Sequence, residues 1–272
     1  MENPTRGHVD RLRRSGCAFT SNELKVAVEQ QLANLGIPAA MVTVTAAPIP
    51  EKFPDTDPQT LLVRYPSLYE ASAYIADEVK IEVSVRSLRT PYAQVAIQSL
   101  LNEINPNLIY EEIPFPVNVV EPRKTFLEKI FLLHEEFVKP DKTKIRTERM
   151  SRHLYDLGNT MDTDFGKAAL QDHELYDHLI LHRQWYSRLS WVDYQSLGHA
   201  TLSFLPPPEV LELYRADYET MREQMIYREA LSFDDLIDQL KLLQGRFRIK
   251  TEYKSLEEII KDAETQLKES GN

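Results

Sequence analysis

The hydrophobic period of the chain changes at Pro122, and that change limits what it can build. Before it the pattern repeats every two residues: Val79, Ile81, Val83 and Val85 alternate with Lys80, Glu82, Ser84 and Arg86 across Glu78 to Arg86. Alternation of this kind places four apolar side chains on one sheet face and four polar ones on the other. One face is expected to be core, the other available. After Pro122, which suits a first helical position, Phe126, Ile130, Leu133 and Phe137 recur at helical spacing. From there the sequence reads almost only as helix. The expected fold class is α+β, with a mixed-sheet part over residues 1–121 and an all-helical part over 122–272.

The remaining elements come from turn and cap chemistry. The basic start, with Arg11, Arg13 and Arg14, has no clear apolar period and reads as loop or short helix. Thr20-Ser-Asn-Glu23 is a capping box that opens a helix of about four turns, closed by Gly36 and Pro38. β-branched runs at Met41 to Thr45 and Leu61 to Tyr65 are strands, separated by a Pro- and Asp-rich stretch from Pro48 to Pro58. Val117 to Val120 adds another. Beyond Pro122 to Phe137, helices are predicted at about Thr147 to Asn159, Asp172 to Leu189, Pro208 to Tyr227, Ser232 to Leu243 and Ser255 to Glu269. Ser232 with Asp235 and Ser255 with Glu258 mark two of the starts.

Composition narrows the function. A chain of 272 residues is one large domain or two ordinary ones, since single cores stop growing near roughly 250–300 residues, and two are expected. Its 42% hydrophobic and 27% charged content is that of a folded protein. A net charge of -10 argues against coating nucleic acid by bulk charge. Only eight glycines are present, none between Gly36 and Gly158, so neither a P-loop nor a dinucleotide fingerprint can be drawn. Cys17 stands alone, which excludes an internal disulfide. No apolar stretch approaches the roughly 20 residues of a membrane span, and the polar start Met-Glu-Asn-Pro is no signal peptide. A cytoplasmic protein without a membrane partner is expected.

Three constellations can carry chemistry. Lys80, Glu82, Ser84 and Arg86 share one strand face, where a carboxylate flanked by cations stays ionised and suits a hard cation such as Mg²⁺. The same pattern describes a solvated sheet face with cross-strand ion pairs. Thr125 and Lys129 are four apart near a helix N-terminus, so a hydroxyl and an ammonium can address one phosphate; an ordinary exposed helix face reads the same way. In Arg149 to Asp156, Arg152 and His153 lie four and three residues before Asp156, which places the carboxylate beneath both bases. Upstream, Lys139 to His153 holds six Lys or Arg against Asp141 and Glu148, a phosphate-contacting patch or a helix surface with internal ion pairs.

Other motifs fail. His134-Glu135-Glu136 begins like a zincin helix, but Val138 stands where the second histidine belongs. Asp55-Thr-Asp57 and Asp162-Thr-Asp164 space carboxylates as metal dyads do, yet their settings suit Asx-turn or cap residues. Trp185, Tyr186 and Trp191 read as core or interface aromatics rather than a base-stacking platform.

Taken in order, Val-Lys-Ile-Glu-Val (79–83), Pro-x-x-Thr-Phe-Leu-Glu-Lys-Ile (122–130), Leu-His-Glu-Glu (133–136) and Arg-x-Ser-Arg-His-Leu-Tyr-Asp-Leu (149–157) resemble the AbiEii/AbiGii toxin family. The likeness extends to Asp217-Tyr218-x-x-Met221. The resemblance implies a partial nucleotidyltransferase-like domain before the helical one. The implied activity is transfer of a nucleoside monophosphate from an NTP, with Mg²⁺, to an acceptor; for some members the acceptor is RNA, resembling a tRNA 3′ end. It further implies a toxin-antitoxin or abortive-infection role with a cognate antitoxin protein. Carried over, Lys80 and Glu82 match a Lys-x-Glu strand motif, with Glu82 as metal-holding acid. Thr125 and Lys129 match Thr-x-x-Glu-Lys, with the lysine on the triphosphate. Arg152, His153 and Asp156 match the last motif, whose aspartate the family requires. Catalytic roles therefore fall to Glu82, Lys129 and Asp156, and nucleotide binding to Lys80, Thr125, Arg152 and His153. Positioning and charge neutralisation are what phosphoryl transfer needs.

The family's Gly-Gly-Thr or Gly-Ser turn with its Asp-x-Asp has no counterpart here. The basic start resembles the segment just downstream of that motif, so the expectation is a member lacking about its first 80 residues, part of a domain in size. The alternative function is a catalytically incomplete binding module that engages an antitoxin or RNA. A metal phosphohydrolase using His153 and Asp156 ranks last, for want of further histidines at ligand spacing.

Overall fold

The computed structural model describes residues 3–49, 57–67, 76–105, 107, 113–249, 258–263 and 265. The fold is α+β: small antiparallel sheets in the first half and helices in the second.

The basic start is a full helix, α1 (Arg6–Phe19), with the Thr5 side chain accepting from the His8 amide at its N-terminus. Thr20 opens nothing. It is buried and helical, φ -63° and ψ -45°, and leads into a π-helical turn (Thr20–Leu24) and then α2 (Lys25–Asn34). Because the chain is already helical at Phe19, the Thr20 amide bonds back to Cys17 and Gly16 carbonyls and needs no cap. The end of α2 matches expectation. Gly36 takes φ +77°, its amide reaching the Ala33 carbonyl and the Ile37 amide the Leu32 carbonyl, the paired bonds of a Schellman close.

Strands β1 (Thr43–Ala46), β2 (Gln59–Arg64) and β3 (Glu78–Val83) form one antiparallel sheet in that order, with Leu61 opposite Ile81 and Thr60 opposite Glu82. Leu61 is buried, but the apolar face of β3 is not the closed core its alternation predicts: Val79 is 52% exposed. α1 lies against the end of this strand, where a Cβ at Gly16 would stand 2.3 Å from a Val85 methyl. A second sheet pairs β4 (Tyr92–Ile97) with β5 (Phe115–Val120), and the short α3 (Leu100–Ile104) comes directly after β4. The sequence pattern does not anticipate β4.

α4 (Pro122–Phe137) spans the predicted residues and is buried over most of its circumference, with Phe126, Leu127, Ile130, Phe131 and Leu133 in the core and Lys124, His134, Glu135 and Glu136 buried beside them. A helix of that kind belongs at the centre of a bundle. α5 (Ser151–Thr160), α6 (Asp164–Gln171), α7 (His173–His182), α8 (Leu211–Gln224) and α9 (Phe233–Arg248) pack with it into one core. α6 occupies what the sequence suggests is a turn: Thr163 caps it and Asp162 pairs with Arg246 at 2.7 Å. The helix predicted to run to Leu189 breaks earlier. α7 passes into a π-helical turn (Arg183–Ser187) and stops where Arg188 takes φ 47°. Ser232 caps α9 as expected. Ser255 lies outside the described residues, while 258–263 are helical. Trp185 is buried with Leu181 and Ile259, and the Trp191 indole donates to the Glu135 carbonyl, so neither is a stacking platform.

Candidate active site

Lys129 leaves α4 on the side facing α5. Its Nζ lies 2.6 Å from Asp156 Oδ2 and 3.5 Å from His153 Nδ1. Residues 24 and 27 positions apart thus meet, and two of the three predicted clusters become one. Helical spacing explains the α5 half: His153 and Asp156 are three apart and share a face. What aligns α5 is Asp217 on α8. Its carboxylate accepts from the Arg149 amide at 2.6 Å, the Ser151 amide at 2.9 Å and the Ser151 hydroxyl. No residue of α5's own N-terminus supplies that cap. Arg149 is held at φ 56°, left-handed for a residue with a side chain. Gly158 then lets α5 meet α9, because a Cβ there would come 2.4 Å from Leu236 Cδ1.

The site is electropositive. Burial first, and then the charges of Lys129, Arg152 and Arg146, pull the His153 pKa down to about 4. His153 is therefore neutral at pH 7 and can accept from the Lys129 ammonium. Asp156 is half-exposed and neutralises one of these cations; Arg152 is exposed and has no ion-pair partner among the described residues. An incoming polyphosphate would find the Lys129 ammonium beside a neutral imidazole, with the half-exposed Asp156 carboxylate as its competitor.

The other predicted residues stand apart. Thr125 lies one turn before Lys129 on α4, with no side-chain bond among the described residues. Lys80 stands 3.7 Å from Glu78, which also pairs with Arg64 at 3.0 Å. Ser84 and Arg86 belong to Asp57, whose carboxylate takes the Ser84 hydroxyl, the Val85 amide and the Arg86 guanidinium. That agrees with a structural reading of Asp57; Asp55 lies outside the described residues. Glu82 is exposed and makes no hydrogen bond or ion pair with Lys129, His153 or Asp156 among the described residues.

The basic stretch before α5 is thinner than its count. Lys139 and Arg146 both pair with Glu136, Lys142 donates to the Phe137 carbonyl, and Lys144 reaches Asp141. Burial raises the Glu136 pKa, but the bonds from Lys139 and Arg146 outweigh it and hold the carboxyl below its usual range. Glu135 binds Arg183 through both oxygens. His134 accepts the Ser203 amide on Nδ1 and donates from Nε2 to Ser196, and burial lowers its pKa to about 4. Leu-His-Glu-Glu is thus a buried set of anchors. The sequence carries a signal for it: Glu135 and Glu136 sit between Leu133 and Phe137 on the apolar stretch of the helix, where acids have to be buried and paired.

Mg²⁺ takes six oxygens in a near-octahedral shell, commonly one or two carboxylates plus substrate phosphates. Glu82 offers one exposed carboxylate, and no group of three metal-capable side chains occurs among the described residues. These residues do not by themselves fit a metal centre. No helix among them is long and apolar enough to cross a membrane.

No curated protein and no solved structure matches the chain. The model of the family described as nucleotidyl transferase AbiEii toxin, type IV toxin-antitoxin system, matches residues 18–239, a span that holds Lys129, His153, Asp156 and the Asp217 cap. The chain belongs to the AbiEii nucleotidyl transferase toxin family.

Proposed function

We propose that the protein is a toxin that transfers a nucleoside monophosphate from an NTP to an RNA acceptor such as tRNA, in the cytoplasm, under control of a cognate antitoxin protein. The observation that carries this reading is the meeting of Lys129, His153 and Asp156, at 2.6 and 3.5 Å, from two separate family motifs. In the reaction an acceptor oxygen attacks the α-phosphorus and pyrophosphate leaves. Lys129 and Arg152 hold the triphosphate, and Thr125 adds a hydroxyl one turn earlier. Asp156 fixes the ammonium, and His153 supports it as an uncharged acceptor. Lys80 and Glu82 lie on β3, apart from this cluster, and enter the reading through the family's Lys-x-Glu motif alone; Glu82 would offer a divalent ion a single carboxylate. The family generally uses a divalent ion; this chain's own donors do not complete its shell, so no step is routed through one.

Transfer of label from α-³²P NTPs to tRNA, dependent on Mg²⁺ and lost in Lys129→Ala and Asp156→Asn, is the expected result. A second reading is favoured by the sparse metal donors: a module that holds NTP or RNA without turnover. It predicts binding that weakens with salt and with Lys129→Ala and Arg152→Ala, but no label transfer. Binding indifferent to salt and to both substitutions would remove both readings.

A further inference from the structure

We propose that the slot between α2 and the outer edge of β1 is a docking site for an extended, basic segment of a partner protein, which adds to the three-stranded sheet as a further strand. The phase of the β1–β2 pairing shows which backbone groups face that edge. The Ala47 amide donates to the Thr60 carbonyl at 2.8 Å, so in this antiparallel register Thr43 and Thr45 also bond across to β2. Val44 and Ala46 alternate with them, and their amides and carbonyls point the other way. Among the described residues these four groups have no partner. The slot holds about 410 Å³ and is lined by Thr43 and Thr45 from one face of β1 and by Val42 and Val44 from the other. A hollow that touches both faces of a strand runs along its edge, and β2 fills the opposite edge. Glu29 and Leu32 of α2 form the far wall. α2 is itself short of cover: it carries Val26, Val28 and Leu32, yet none of its residues is buried.

Backbone chemistry selects a strand as the occupant. Val44 is only 5% exposed, so its amide and carbonyl meet little water, and a buried backbone group without a partner is costly. An apolar small molecule cannot offer a donor and an acceptor at strand spacing. A polypeptide does, and its alternate side chains then fall on the Val44 face, beside the slot. Charge decides between a second copy and a different protein. Two chains of net charge -10 repel, and the one charged residue lining the slot is the acid Glu29. Both favour a segment with Lys or Arg alternating with apolar residues. The slot lies outside the Lys129–Asp156 site, so the inference stands independently of the proposed activity.

Fluorescence anisotropy of a labelled Lys-Val-Lys-Val-Lys-Val-Lys peptide with the full chain tests it. Saturable binding with a Kd at or below about 100 µM is expected. A peptide residue opposite Val44 shares its face, so the valine amides are the ones that bond to β1. N-methylation of the valines should therefore weaken binding about tenfold or more, while N-methylation of the lysines leaves it unchanged. Ala33, exposed on the α2 wall, gives a second probe: Ala33→Lys should weaken binding and Ala33→Glu tighten it, with circular dichroism confirming that both variants fold. Absence of saturation up to about 1 mM overturns the proposal, as do equal effects of the two methylation patterns. Equal binding of the Glu-Val counterpart, or no difference between the two Ala33 variants, also refutes it. A species of twice 31.5 kDa in sedimentation that Ala46→Pro abolishes would assign the edge to a second copy instead.

Discussion

Asp217→Ala should unfasten the helix that carries His153 and Asp156 without touching either. Three donors at the start of α5 converge on this carboxylate. Ser151 is fully buried, so water cannot replace the lost acceptor for its amide or hydroxyl. A stranded buried donor costs about 1–3 kcal/mol, and losing a helix cap typically about 1 kcal/mol. The terms overlap, and a total near ~3 kcal/mol is expected. Against a typical stability of about 5–15 kcal/mol, that is a large fraction. At roughly 2–4 °C per kcal/mol for a chain of this size, Tm should fall by about 6–12 °C. Urea unfolding monitored by tryptophan fluorescence gives the free energy, and Ser151→Ala, which removes one donor and leaves the acceptor, should cost clearly less. Triphosphate binding should weaken in the folded variant, because Arg152 and His153 ride on the loosened first turn. A loss below about 1 kcal/mol, or a Ser151→Ala cost equal to that of Asp217→Ala, would refute the reasoning.

Four further outcomes are expected. Asp156→Asn should abolish label transfer while triphosphate binding is retained or tightened, since Lys129 loses the carboxylate that competes for it; weaker binding in an equilibrium assay would contradict this. Glu135→Gln leaves the Arg183 guanidinium buried without its ion-pair partner and should destabilise by about 3–5 kcal/mol in chemical denaturation. His134 has a folded pKa near 4 against 6.5 unfolded, so the unfolded state binds the extra proton between these values. Stability should therefore decline as pH falls from 6.5 towards 4, by up to about 3 kcal/mol from this group, and His134→Gln should flatten that slope. Glu136 has the opposite protonation chemistry but the same sign: its lowered carboxyl pKa gives stability that is lost as pH falls below the usual carboxylate range, and Glu136→Gln should remove that loss.

The helical half is the more legible because its signals are local. α4 begins at Pro122 and ends at Phe137 as its apolar spacing indicates, and Ser232 caps α9 through the residue three positions on. Misreadings arise where a local sign is taken without its surroundings. Thr20-Ser-Asn-Glu23 has the composition of a cap, but α1 already fills the position before it, so the amide it would satisfy has a helical partner. Arg183–Ser187 would continue α7 by composition; the wider turn and the left-handed Arg188 turn the chain instead, with the Arg188 guanidinium bonded to the Trp185 carbonyl. β4 gives little sign of itself because Tyr-Ala-Gln-Val-Ala-Ile carries small and polar residues among its apolar ones and owes its strand form to the distant β5 partner.

The site divides along the same line. Within α5 the relation of His153 to Asp156 is a matter of helix geometry, and sequence alone supplies it. That Lys129 joins them depends on the approach of α4 and α5, and that approach depends on Asp217 and on the missing Cβ at Gly158, neither of which announces itself locally. Counting charges errs in the other direction. Six cations from Lys139 to His153 look like a phosphate track, yet Lys139, Lys142, Lys144 and Arg146 are bonded to Glu136, Asp141 or a backbone carbonyl. A cation held by a buried carboxylate such as Glu136 has already exchanged its water for protein, and a phosphate would have to outcompete that partner to recruit it. Lys129 differs because Asp156 is half-exposed and its hold is screened by solvent. The discriminating property is therefore the burial of the acid partner rather than the number of bases: on that criterion the buried Glu136 withdraws Lys139 and Arg146, whereas Lys129, Arg152 and Lys144, whose Asp141 partner is half-exposed, are cations that a triphosphate can claim.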